Sequence, residues 1–91
     1  MADYVAGHEP RIMREEILHE LARGRAKFPG QNIWVTLAAL TEEVGELNQA
    51  VLQINFEPHK GTPLSAVREE AVQVAAMAMR VVLDCNVHGS P

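Results

Sequence analysis

Three stretches of this chain repeat apolar residues at helical spacing, and helix breakers separate them. In the first, Met13, Ile17 and Leu21 recur every four residues with Ile12 and Leu18 beside them, and Glu15, Glu16, Glu20, Arg23 and Arg25 take the outward positions. Pro10 suits the first position of such a helix, where a missing N–H is no loss. The pattern predicts a helix over about 9–27, ended by Pro29 and Gly30. The second stretch steps 4-3-4-3-4-3 through Ile33, Leu37, Leu40, Val44, Leu47, Val51 and Ile54, an unbroken heptad stripe. Asn32 is a good cap residue for it, and the expected helix covers about 32–55. Beside that stripe runs another, Thr36, Ala39, Glu43, Glu46, Ala50 and Gln53, whose small residues would let a neighbouring helix come close. Gly45 within this helix costs roughly 1 kcal/mol relative to alanine.

Pro58 and Gly61 break the chain again, and Thr62-Pro63 reads as the cap and first turn of a third helix over about 63–86. Its heptad stripe is Leu64, Val67, Ala71, Val74, Ala78, Val81 and Cys85, flanked by Ala66, Glu70, Gln73, Met77, Arg80 and Asp84. Between 71 and 83 this helix is apolar nearly all round, which marks burial on more than one side. In so short a chain the extra side is most simply a subunit interface. Residues 1–8 read as a loose leader and 87–91 as a loose end, with Gly89 as a stop signal.

Composition sharpens this picture. Ninety-one residues make a single domain, 1–91, of which 47% is apolar but only 4% aromatic, so the core has to be aliphatic and alanine-rich. The expectation is an all-α helical hairpin bundle of three main helices, completed by oligomerisation as a homodimer or homotetramer. A net charge of −4 with no basic cluster argues against nucleic acid as a partner. The single Cys85 excludes an internal disulfide and agrees with a cytoplasmic location. His8, His19, His59 and His88 lack zinc-ligand spacing. The start of the chain has no signal-peptide pattern, and Gln73 and Arg80 interrupt the longest apolar run, so no membrane is expected as a partner.

The acids change the picture most. Between Asn32 and Phe56 there is no basic residue, and the three acids are Glu42, Glu43 and Glu46. A short link makes the second and third helices antiparallel neighbours. Glu46 then lies about 12 Å from the turn and Glu70 about 10.5 Å from it, so the two should sit side by side. Glu43 should face Gln73 one turn further out, with Glu42 and Glu69 flanking the group. Carboxylates held that close repel and raise each other's pKa unless a cation joins them. An all-oxygen set suits a hard cation, Mg²⁺ before Ca²⁺ or Mn²⁺. The plainer alternative is an exposed acidic face paired with Arg68, Arg80 and Lys60.

The strings TLAALTEEVGELNQAV and REEAVQVAAMAMRVV, with RAKFPGQN upstream, resemble the MazG-like all-α nucleoside triphosphate pyrophosphohydrolases over roughly residues 11–85. The family signature is EExxE followed by ExxD on two antiparallel helices. Glu42, Glu43 and Glu46 match the first half, and Glu70 matches the first acid of the second. The resemblance implies a helical dimer or tetramer that splits the α–β phosphoanhydride of an NTP or dNTP, giving a nucleoside monophosphate and pyrophosphate. It implies Mg²⁺ on Glu43, Glu46, Glu70 and Gln73, with Glu42 and Glu43 as catalytic candidates that orient water or metal. Lys27, Arg68 or Lys60 would contact phosphates, and Trp34 or Phe28 would stack on a base. One departure matters: Gln73 stands where the signature has aspartate, as in relatives that carry an ExxQVAA string. The site there loses a full charge, so a non-catalytic nucleotide-binding or regulatory module is the competing expectation. A third is a plain helical homodimer with solvated acids.

Overall fold

A computed structural model describes residues 9–30 and 32–88, with the side chains of residues 87 and 88 left out. The described residues form three α-helices and no strand: α1 (Pro10–Lys27), α2 (Ile33–Phe56) and α3 (Leu64–His88), with a 3₁₀ turn at Pro58–Lys60. The chain is therefore all-α, and each helix lies within two residues of its expected bounds. The exception in kind is the end of α3, which continues to His88 where a loose end was expected from residue 87. The expected leader, 1–8, and the Gly89 stop lie outside the described residues.

Local chemistry explains the boundaries. Pro10 opens α1, and Asn32 caps α2 by accepting bonds from the backbone N–H groups of Trp34, at 3.0 Å, and Val35, at 3.3 Å. Thr62 does not cap α3 as expected. Its hydroxyl donates instead to Gln53 Oε1 at 2.7 Å, which ties the connection back to α2. Gly61 ends the 3₁₀ turn at φ +66°, a backbone conformation that glycine adopts without a Cβ penalty.

α2 and α3 form an antiparallel hairpin, and its register is visible in Thr36, near the start of α2, bonding Asp84, near the end of α3. The seam is the small-residue stripe of α2. Thr36 and Ala50 are buried on it, whereas Leu37, Val44 and Val51 of the apolar stripe are exposed. Ile33, Leu40, Leu47 and Ile54 of the same stripe are half-buried, so the apolar stripe borders the seam along one edge and faces outward along the other. α1 runs parallel to α3, since Glu16 pairs with Arg68 and Gly24 with Arg80. It packs against α3 and makes no Cα approach within 8 Å to α2 among the described residues.

The face that α1 turns inward agrees with expectation at Ile12, Ile17 and Leu21, which are half-buried, and departs from it elsewhere. Glu16 and Glu20 are half-buried, while Met13 and Leu18 are 42% and 44% exposed. Among the described residues the only buried apolar side chains are Ala50 and Ala76. Among the described residues no helix is long and apolar enough to cross a membrane.

Candidate functional site

The i, i+3 pair Glu43 and Glu46 on α2 meets Glu70 on α3 in the middle of the hairpin. Each of the three offers a carboxylate oxygen, and these atoms all lie within 4.8 Å of one another. Glu43 Oε2 and Glu70 Oε2 are buried with no hydrogen-bond partner among the described residues. An orphaned buried carboxylate oxygen is costly, because it has given up water without a replacement. Burial first, then the charges of Glu46, Glu70, Glu42 and Glu20, push the Glu43 carboxyl above its ordinary range. The Glu70 carboxyl is raised likewise, by burial, by the charge and hydrogen bond of Glu46, and by Glu69.

The three cations that the sequence offered for this group each bond another partner. Lys60 pairs with Glu57 at 2.9 Å, and Arg80 bonds backbone carbonyls of α1 and the loop after it. Arg68 holds Glu16 with two bonds, of 2.8 and 2.6 Å, and that bond keeps the Glu16 carboxyl below its ordinary range. Three carboxylates with two orphaned oxygens form a donor set that fits a hard divalent cation such as Mg²⁺.

Glu43 also belongs to a cleft of about 770 Å³. Because the backbones of α1 and α2 both lie against α3 but stay apart from each other, a space opens between them with α3 as its floor. Glu20, Arg23 and Lys27 of α1 line one wall, with Phe28 on the loop. Thr36, Ala39, Glu42 and Glu43 line the other, and Gln73, Met77 and Arg80 form the floor. The cleft thus has a carboxylate edge and a basic, aromatic wall, with the Lys27 ammonium 5.4 Å from the centre of the Phe28 ring.

The sequence-based candidates divide accordingly. Glu43, Glu46 and Glu70 come together. Gln73 and Glu42 line the cleft beside Glu43, and Lys27 and Phe28 line it opposite. Trp34 stands on the first turn of α2, 76% exposed and outside the cleft. Arg68 is occupied by Glu16, and Lys60 lies at the hairpin turn with Glu57. The sequence reading missed Glu20 and Arg23, which it placed on an outward face. They bond to each other at 3.0 and 2.5 Å on the cleft wall. The four-residue steps Ile12, Glu16, Glu20 and Gly24 were the available signal.

No protein-family model matches this chain, and neither does any curated protein or solved structure.

Proposed function

We propose that this chain is a MazG-like nucleotide pyrophosphohydrolase. Its reaction would be Mg²⁺-dependent cleavage of the α–β anhydride of an NTP or dNTP to nucleoside monophosphate and pyrophosphate. The observation that carries the reading is the three-carboxylate cluster of Glu43, Glu46 and Glu70, with two orphaned oxygens, whose member Glu43 lines a cleft of about 770 Å³. That volume lies within the range of small-molecule sites. The EExxE and Exx strings add to it.

In this reading Glu43, Glu46 and Glu70 hold Mg²⁺, or Mn²⁺ in its place. When bound, the ion would neutralise phosphate charge and lower the pKa of water. Glu42, on the cleft wall next to Glu43, is the carboxylate left to accept a proton from the attacking water. Lys27 faces the phosphates with its ammonium, and Phe28 offers an exposed ring to the base. The protein would act as a homodimer or homotetramer. Purified protein given Mg²⁺ and a panel of NTPs and dNTPs should release pyrophosphate and monophosphate in equal amounts. No turnover of any of them with Mg²⁺ or Mn²⁺ would rule the enzyme out.

Gln73 supports a second reading, a module that binds nucleotide without cleaving it. It lines the cleft beside Glu43 and carries no charge. Calorimetry separates the two: binding without product formation favours the module.

A further inference from the structure

Arg80 on α3 is only 8% exposed, and no salt bridge reaches it among the described residues. A guanidinium keeps its charge at any ordinary pH, so one this deep needs its donors met. They are met by backbone. Nη1 donates to the carbonyl of Gly24 at 3.2 Å, and Nη2 donates to the carbonyls of Phe28 and Gly30, the latter at 2.7 Å. These carbonyls belong to the last turn of α1 and the loop after it, where a helix leaves acceptors unsatisfied and its dipole favours a cation. Both Nη2 hydrogens are thereby used on the loop.

The bonds matter because α1 stands alone on its side of the cleft. Its backbone comes close to that of α3 and not to that of α2 among the described residues, so whatever ties its end to α3 sets the width between Lys27 and Phe28 and the carboxylate edge. Side-chain ties at two places join α1 and its loop to α3 among the described residues. Glu16–Arg68 lies toward the start of α1, and Arg80 lies at the cleft end. Arg80 is itself part of the cleft floor.

We propose that Arg80 is a positioning residue: its planar fork gathers three carbonyls and holds the Lys27–Phe28 wall at the distance from Glu43 that bound nucleotide requires. It acts on affinity through the wall, and its charge alone does not suffice. This rests on the nucleotide reading given above.

Arg80→Lys keeps the charge but cannot reproduce the fork, and Arg80→Met removes both. Both variants should raise the KM for nucleotide at least tenfold while kcat stays within threefold. Mn²⁺ binding to the carboxylates should stay within twofold of wild type. Backbone amide exchange across residues 24–30 should quicken at least tenfold. If Arg80→Met does not fold, Arg80→Lys decides the matter. A wild-type KM in Arg80→Lys would assign the role to charge and overturn the proposal, as would unchanged exchange across residues 24–30. Loss of Mn²⁺ binding in step with nucleotide would mean a merely structural role. Should the wild type turn over no nucleotide, the enzyme reading fails by itself. The clamp is then judged by amide exchange with Mn²⁺ binding intact, which upholds it, or by unaltered exchange, which overturns it.

Discussion

Glu43 and Glu70 approach from opposite helices of the hairpin, each offering a carboxylate oxygen within 4.8 Å of the other's. Each also buries an Oε2 that no described residue bonds. An arrangement of this kind is unfavourable for the bare chain and favourable once a cation is shared. Mg²⁺ should therefore raise the melting temperature. At a hundredfold excess over Kd the stabilisation is about 2.7 kcal/mol. For a domain of this size that is on the order of 10 °C. Glu46→Gln should remove the shift while leaving the helical circular dichroism unchanged. A wild-type melting temperature indifferent to Mg²⁺ and Mn²⁺ would count against a metal at these acids.

The same carboxyls set a pH dependence whose sign can be worked out. Glu43 and Glu70 hold their protons more tightly folded than unfolded, because burial and neighbouring acids raise them above the ordinary 4.5. The stability they contribute is complete below 4.5 and is lost as pH rises through their folded values. Glu16 and Glu20 are lowered by their arginine bonds, so they act in the opposite direction, losing their contribution as pH falls. The difference between wild type and Glu70→Gln isolates the first effect. In chelator, urea midpoints should show Glu70→Gln gaining on wild type as pH rises from 4.5. Parallel curves for the two proteins would contradict the raised pKa.

The hairpin and its acid cluster were readable in the sequence because both depend on local spacing. Pro10, Asn32 and the breakers mark helix ends, and i, i+3 acids placed at equal distances from one turn must meet. What was not readable depends on partners far along the chain. Arg80 bonds carbonyls 50, 52 and 56 residues away by number, and a backbone acceptor leaves no trace in residue type. Glu16 looked solvated because its partner, Arg68, lies on another helix. On α2 the two adjacent stripes had equally regular steps. The small-residue stripe was expected as the approach face, and Thr36 and Ala50 are buried on it; the apolar stripe beside it divides, with Ile33, Leu40, Leu47 and Ile54 half-buried and Leu37, Val44 and Val51 exposed.

Thr36 and Asp84 form the buried end of that seam. Both are 4% exposed, and the hydroxyl donates to Asp84 Oδ2 at 2.5 Å. Thr36→Val preserves shape but strips the carboxylate of this donor, at a cost of about 1–3 kcal/mol. The double change Thr36→Val with Asp84→Leu should cost less than the sum of the single ones, since the stranded charge goes with its partner. Chemical denaturation of the four proteins completes the cycle; strict additivity would show that the bond contributes nothing.

Gly45 sits between the acids on α2, and a Cβ built there meets nothing within 4 Å. Close packing thus does not require glycine at this position. Gly45→Ala should stabilise the helix by about 1 kcal/mol through propensity alone. The melting temperature should rise by about 4–8 °C. A fall would mean that another surface lies against this face, and would place a subunit contact beside Glu46.

The outward stripe of α2 gives the last expectation. Leu37, Val44 and Val51 are 46%, 46% and 37% exposed in one row, on a fold whose buried apolar residues are two alanines. Burial of apolar surface is the main favourable contribution to folding, and so little of it within one chain leaves the hairpin short of stabilisation. A second copy laying its own α2 against this row would cover it, consistent with the proposed homo-oligomer. The chain should sediment at twice its 10.0 kDa mass or more. Val44→Glu, which places a charge at the centre of the row, should dissociate it and lower the melting temperature together. Sedimentation of the wild type at 10.0 kDa, with Val44→Glu equally stable, would show that the row is solvated and that the helices hold without a partner.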